Sequence, residues 1–562
     1  MNSVKASTNN PSTLASIILW LFILISILFW TEVNAQSSEN GRRITPILSL
    51  LLFDDPEFSI ESVAVSEGDS GVKTLNLTVR LSSFVESSVD YIYPGGATAT
   101  EGSDYNRPAA GTLIFEDGET QATIEFQIIG DTVPEANEFF TVELVNPEGA
   151  ELSSNSISVI TIVDEDGVFN DTGVNVGAEA NTGNNISCTT TTTALEQQDC
   201  ANGRDALART GRLAKLGTGP SGFDYTKLAI NGAPLAIQTR AYSVSGSEAA
   251  GTQWACVRDN HTGLVWEVKE ASGVHAYTTT YRWGGLTAIG INNNNRQGDY
   301  FSDWNVLVNS ANNNARCGVS DWRVADIKSL STLVNYSRPD GTSANVEFFP
   351  FIDEDHWSAS PFNNDTNAAY SISFGTGTDR DLARSQERSV RLVSGTRLES
   401  IGHATAIAVD DQEVFSYIDN TTPNSRYIVS SNNVTVVDSI TGLMWQRCVV
   451  GLSGANCGSG EVMRSDWGTA VAAAQSNTAG GFNDWRLPNI QELISLIALD
   501  RQQPAINATI FPNPSGSEHW SSTPALNTSS ISSAWVGEPD SISSTGSRFS
   551  NGRVVRLVRD GQ

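Results

Sequence analysis

The sequence predicts a multidomain chain in which an all-β immunoglobulin-like sandwich precedes two copies of an α+β module. Three observations carry this expectation. A length of 562 residues is too great for one hydrophobic core, residues 58–167 form a block of period-two strands, and a set of tryptophan-centred words occurs twice in the C-terminal half. With 39% apolar and 17% charged residues the chain can bury cores and is not a disordered acidic tail. Its 34 Lys plus Arg stand against 63 Asp plus Glu, a net charge of −29. Such a chain repels a polyphosphate backbone, so no nucleic-acid partner is expected.

The first element is an address. Lys5 precedes an apolar run from Leu14 to Trp30, and Val33-Asn34-Ala35 offers small residues for cleavage before Gln36. Residues 1–35 therefore read as a signal peptide, with an uncleaved N-terminal membrane anchor as the open alternative, and 36–57 as a linker. Nothing later approaches the 18 consecutive apolar residues of a spanning helix. The expected location is secreted, or at the cell surface of a bacterium. An even set of six cysteines suits an oxidising compartment. Cys188 with Cys200 and Cys448 with Cys457 are close pairs, which leaves Cys256 with Cys317; free buried thiols are the alternative.

Apolar residues next alternate at Leu75, Leu77, Val79 and Leu81, at Ile124, Phe126 and Ile128, and at Phe140, Val142 and Leu144. Gly, Pro, Asp or Asn bounds each run, as in half-buried strands, and about 110 residues of this kind fit a seven-stranded sandwich. Residues 58–167 hold 20 acidic against three basic residues, so they carry −17 of the −29. The carboxylates gather where strands end: Glu67, Asp104, Asp131, Glu135, Glu138, Asp164, Glu165 and Asp166. A hard cation such as Ca²⁺ takes six to eight oxygens, which loops at one pole of a sandwich supply. A solvated acidic surface that aids solubility explains the same residues equally well.

The words VSEGDSG, GATATEGSDY, GTLIFEDGETQATIEFQIIGDTVPEANEFFTVELVNPEGAEL and TIVDEDG resemble a Calx-beta domain over nearly all of 58–167. The resemblance implies that Ca²⁺ is the cofactor. It also implies calcium ligands at Glu67, Asp104, Asp131, Glu135, Glu138, Asp164, Glu165 and Asp166. Where strong binders of that family have successive aspartates, this chain reads Gly130-Asp131-Thr132. Fewer or weaker sites are therefore expected.

The C-terminal half repeats. TGLVW pairs with TGLMW, SDWNVLV with SDWGTAV, SDWRVADIKSL with NDWRLPNIQEL, HWSAS with HWSST, and VRLV recurs. Trp304 to Trp322 and Trp467 to Trp485 both span 18 residues, and Trp322 to Trp357 and Trp485 to Trp520 both span 35. Matching words at matching intervals mark two copies of one module, roughly 251–395 and 436–560. Ile327, Leu330 and Val334, with Ile490, Leu493, Ile494 and Ile497, predict a helix after each DWR, capped by Asp326 or Asn489. A second helix is expected from Asp303 and from Asp466. The paired tryptophans read as core more readily than as a sugar-stacking platform.

These words resemble the Lcl C-terminal domain family (DUF1566), named after a bacterial collagen-like adhesin and grouped with C-type-lectin-like folds. GFDYTKLAINGAPL resembles its long form, so the modules extend over 222–395 and 436–562, with linkers at 168–221 and 396–435. Known members imply surface adhesion, in one case through a basic groove. Neither copy has a basic excess, although Arg553, Arg556 and Arg559 form a local cluster.

Catalysis has little support. Asp355, His356 and Ser358 lie on one strand, where neighbours face opposite ways and cannot form a triad. No metalloprotease, nucleophile-elbow or P-loop motif occurs. The expected protein is not an enzyme. It is an exported, calcium-binding surface protein that acts in adhesion or ligand binding, with a cell-surface or matrix glycan or protein as partner. A structural matrix protein is the second reading, and an extracellular hydrolase the third.

Overall fold

The computed structural model describes residues 55–562 except 68–70, 132–137, 165–168, 180–183, 189–195, 290–298, 339–340, 353–354, 363–364, 396–425, 439, 499–505, 515–517, 527–531, 538–542, 551 and 561–562. The described chain is multidomain and mostly sheet, with few and short helices.

The sandwich is built from β1 (Glu57–Ile60), β2 (Val63–Ser66), β3 (Gly71–Leu81), β4 (Ser87–Ile92), β5 (Tyr105–Asn106), β6 (Gly111–Phe115), β7 (Gln121–Gly130), β8 (Glu138–Glu148), β9 (Glu151–Leu152) and β10 (Ile157–Val163). One sheet has the order β5-β7-β3-β1-β9 and the other β2-β10-β8-β4-β6. The period-two residues face inward: Leu77, Val79, Phe126, Ile128, Phe140 and Val142 are buried in one core, with Phe58 and Phe115. The structure has ten strands, not the expected seven. The first strand breaks at Glu61-Ser62, so β1 pairs antiparallel with β3 in one sheet while β2 pairs parallel with β10 in the other. The two-residue β5 and β9 add short edges. Short edges limit pairing with other chains.

The two modules repeat each other element by element. The strand Asp355–Pro361 pairs antiparallel with Ala368–Ser373 and parallel with Ser389–Val390. Its counterpart His519–Pro524 pairs the same way with Ser533–Gly537 and Arg553–Val554. Helices follow each DWR at Ile327–Ser331 and Ile490–Leu496. Asp326 accepts from the Ser329 N–H at 2.8 Å, and Asn489 forms a capping box with Glu492. The other helix differs between copies. Asp466 caps Trp467–Gln475, but the helix Asn305–Asn313 starts without Asp303, whose carboxylate is held by Arg282 at 2.8 and 3.0 Å.

Trp266, Trp304, Trp322 and Trp357 and their counterparts Trp445, Trp467, Trp485 and Trp520 are all buried, so the tryptophan words are core. Six of the eight indole N–H groups, all but those of Trp266 and Trp445, cross-brace the modules; Trp357 donates to the Tyr281 carbonyl and Trp520 to that of Ser465, both at 2.9 Å. The disulfides are Cys188–Cys200, Cys256–Cys317 and Cys448–Cys457, and none of the six cysteines is free.

The modules share a core. Ile327 and Leu330 lie in one cluster with Ile490, Ile494 and Trp535, and Tyr336 meets Trp535 edge to face at 4.8 Å. Gln491 donates to the Ser331 carbonyl at 2.8 Å and Lys328 to that of Ser495 at 3.3 Å, so each post-DWR helix caps the other's last turn. The segment expected as a spacer at 168–221 is, in its described part, packed into the same unit. Val174 belongs to the shared core, and Asn170, Thr172, Asp199 and Asp205 are buried.

Candidate functional site

Strand register decides which carboxylates share an end of the sandwich. Ser66 of β2 lies opposite Val163 of β10, so Glu67 and Asp164 leave neighbouring parallel strands at the same end. Glu138, the first residue of β8, lies opposite Ile162, at that end too. In the other sheet, the Asp104 carbonyl accepts from Ile129 at 2.9 Å beside the end of β7, where Asp131 follows Gly130. By strand register all five leave the sandwich at the same end, but among the described residues no three of their carboxylates lie within 4.8 Å of one another. Glu67 and Asp164 are buried, Asp104 and Glu138 half-buried and Asp131 exposed. The Asp104 carboxylate accepts from the Thr100 N–H at 2.5 Å. Glu135, Glu165 and Asp166 lie outside the described residues.

A tighter acidic group lies elsewhere, in the segment expected as a spacer. Among the described residues, Asp171, Asp199 and Asp205 each place a carboxylate oxygen within 4.8 Å of the other two, and all three are buried. Asp171 accepts from the Thr172 and Asp205 N–H groups, both at 2.9 Å, and from the Asn489 amide at 3.0 Å. Asp199 Oδ2 accepts from the hydroxyls of Thr172 and Thr523, both at 2.7 Å. Asp205 Oδ1 accepts from the Gly222 N–H at 2.6 Å, and Thr172 Oγ1 lies 3.2 Å from its Oδ2. Two glycines clear the room. A Cβ on Gly203, which has a φ of +69°, would meet Asp171 Oδ2 at 2.5 Å, and one on Gly222 would meet Asp205 Oδ1 at 2.9 Å. Burial raises the Asp171 carboxyl to about 6; burial and the neighbouring carboxylates raise Asp199 and Asp205 well above the usual range.

The two acidic sites border one cavity. A space of about 580 Å³ is lined by Asp164 from the end of the sandwich, Asp171 from the triad, Arg204, His261 of the first module, and Arg486 and Glu492 of the second. Arg486 is held by Glu492 at 2.6 Å and by Asp560 at 2.9 Å.

Other residues singled out in the sequence have different employment. Asp355 pairs with Arg380 and Arg388, both at 3.4 Å, and the Ser358 hydroxyl donates to the Tyr370 carbonyl at 2.8 Å. His356 is buried edge to face against Phe374. The three do not assemble as a triad. The arginine cluster is not an open basic patch: Arg556 is buried on the Gln446 and Arg447 carbonyls, Arg559 forks Asp484 at 2.7 and 2.8 Å, and Arg553 pairs with Glu518 at 2.5 Å.

Sequence reasoning missed the Asp171, Asp199 and Asp205 group because its members sit in a Thr- and Asn-rich stretch with no ligand spacing. The available signal was local: Asp199 adjoins Cys200, and Asp205 opens a short helical pattern after Gly203.

A neighbouring carboxylate makes stability depend on pH. Asp259 is buried and accepts from Asn170 and from the His261 N–H at 3.1 Å; burial lifts its carboxyl to about 6. The folded chain holds this proton more tightly than the unfolded chain, whose aspartates titrate near ~4. Its contribution is therefore fully present below about pH 4 and is lost as pH rises through about 6. Denaturant midpoints measured between those values should fall with pH in the native chain more than in Asp259→Asn. Parallel profiles would dismiss this assignment.

Comparison with known proteins follows the same division. Residues 54–166 match the family model of the Calx-beta domain, and residues 255–394 and 434–559 match that of the Lcl C-terminal domain. A stretch of 116 residues, 20% of this chain, is 33% identical to the adhesion G-protein coupled receptor V1 of Danio rerio, and it covers 2% of that receptor. Among solved structures, the apo-form Calx CBD1 domain is 24% identical over 20% of this chain and 100% of its own, with a TM-score of 0.18. The calcium binding domain CBD12 of CALX1.1 is 26% identical over 21% of this chain and 50% of its own, also at 0.18.

Proposed function

Of this chain, which carries a Calx-beta domain and two Lcl C-terminal domains, we propose that it is an exported surface protein whose sandwich takes up Ca²⁺ and whose joined modules bind a partner in adhesion. The observation that carries the reading is the strand register, which brings Glu67, Asp104, Asp131, Glu138 and Asp164 to one pole. Like charges gathered there repel one another unless a cation turns the repulsion into coordination. Asp164 also lines the cavity against both modules, so an ion at the pole sits where it can stiffen their presentation. The modules are read as C-type-lectin-like binding units with a glycan or protein partner on the cell surface or in the matrix. Their repeated tryptophans are spent on the core, so the contact surface uses other residues.

Export rests on the leader at 1–35, which lies outside the described residues. Among the described residues, no helix is long and apolar enough to cross a membrane. The non-catalytic reading rests on the separate commitments of Asp355, His356 and Ser358. A structural matrix role is the second reading, favoured by the clasp of the two modules through their post-DWR helices.

Calorimetry of the full chain tests the calcium reading. Free Ca²⁺ at tenfold its Kd should add about 1.4 kcal/mol to the sandwich. The gain in the sandwich's own transition should be absent in Asp104→Asn/Asp131→Asn, and an unchanged sandwich transition in the native chain would leave the pole as solubilising surface. Binding to a glycan array with and without chelator then separates adhesion from self-assembly.

A further inference from the structure

We propose that Asp171, Asp199 and Asp205 form a second cation site, separate from the sandwich pole, that takes a hard divalent ion of the Ca²⁺ class and fastens the segment after the sandwich to the second module. The donors are all oxygens, which suits a hard cation and not a soft one. Three carboxylates lie within 4.8 Å of one another, buried, and no Lys, Arg or His among the described residues forms an ion pair with them, while Arg486 and Arg204 act on Asp171 only at longer range. Unpaired buried charges at this spacing are costly.

A second observation points to an ion. Asp199 is 2% exposed, and its Oδ1 has no hydrogen-bond partner, whereas its Oδ2 takes two hydroxyl donors. As a carboxylate, that oxygen is a buried charge lacking a donor, and a cation supplies the missing partner. Thr172 has one hydroxyl proton for two carboxylates, Asp199 and Asp205, so it cannot serve both at once. Gly203 and Gly222 leave the space that close approach of these carboxylates requires.

The position gives the site its role. Asp171 follows the sandwich and holds Asn489, the N-cap of the second module's helix, across 318 residues of sequence. Asp199 holds Thr523, on that module's HWS strand, across 324 residues. Asp199 is also next to Cys200, whose disulfide to Cys188 limits how far it can retreat. Asp171 faces the cavity, which supplies a path for the ion.

Equilibrium dialysis of the full, disulfide-bonded chain against Ca²⁺, after removal of metal by chelator, tests the proposal. Asp104→Asn/Asp131→Asn, which leaves the triad intact, is expected to retain one tightly held ion per chain. Asp199→Asn/Asp205→Asn is expected to hold one ion fewer than the native chain. If the sandwich variant holds no ion, or if the triad variant folds and holds as many as the native chain, the triad is protonated instead and the site is refuted. The first arm needs no triad variant, so it decides the matter even where that variant fails to fold. Equal counts in the native chain and the sandwich variant would instead count against the calcium reading of the pole and leave the triad standing.

Discussion

Replacing Glu267 with glutamine is expected to cost about 3–5 kcal/mol, because it strands a buried lysine without its counter-charge. Glu267 is fully buried and lies 3.0 Å from Lys269 Nζ and 2.7 Å from His275 Nδ1, while also accepting from the Leu392 N–H at 3.0 Å. Burial alone would raise its carboxyl, but Lys269 and His275 outweigh burial and hold it far below the usual range. The sign follows directly: a lowered carboxylate contributes stability above its unfolded value near ~4.3, lost only as pH falls towards the folded value. The second copy has no such network. By the TGLVW and TGLMW correspondence, Gln446 stands for Glu267 and the disulfide-bonded Cys448 for Lys269. Denaturant unfolding should therefore show a large loss for Glu267→Gln and recovery of most of it in Glu267→Gln/Lys269→Met, which imitates the neutral arrangement of the second copy. A loss below about 1 kcal/mol, or a double variant no better than the single, would mean that the pair carries no such energy.

Removing the Cys256–Cys317 disulfide is expected to cost more than removing Cys448–Cys457, by a margin set by loop length. The bridges close separations of 61 and 9 residues. The chain-entropy relation gives about 4 and about 2.6 kcal/mol respectively at 25 °C. The long bridge also ties Cys256, on a strand paired with both Tyr225–Leu228 and Val265–Glu267, to the 3-10 turn Arg316–Gly318 after the helix. The short one closes a local loop around the two-stranded pair at Leu452–Ser453 and Ser459–Gly460. Paired Cys→Ala variants in denaturant titration compare them. Equal losses, or a larger one for the short loop, would show that native-state packing and not loop closure governs both.

Much of the architecture was legible because its signals are local or periodic. Alternation at Leu77, Val79 and Leu81 or at Ile124, Phe126 and Ile128 needs only a pleated strand with one buried face. The spacings of 18 and 35 between tryptophans needed no structure to mark a duplication, and large, regularly placed rings read correctly as core. Capping by Asp326 and Asn489 follows from a side-chain oxygen reaching an N–H three residues on. The cysteine pairs followed from proximity and elimination in a set of six.

Where the reading failed, a competing contact lay far away in sequence. Asp303 looks like a cap, as Asp466 is, but Arg282 claims it from 21 residues upstream. Arg553, Arg556 and Arg559 look like a basic surface, yet carbonyls and carboxylates remote in sequence take all three. The stretch from Phe169 to Ala178 resembles linker in composition, and it is buried against residues of both modules that lie far away in sequence.

By itself, the sequence determined the sandwich, the duplication and the accumulation of acid at strand ends, because each depends on neighbours within a few residues or on a repeat of fixed length. Only the tertiary structure decided that the two modules share one core, that the segment between them and the sandwich is structural, and that Asp171, Asp199 and Asp205 meet. Those contacts join residues up to 324 apart, and a buried carboxylate acquires its chemistry from whatever the fold brings to its side.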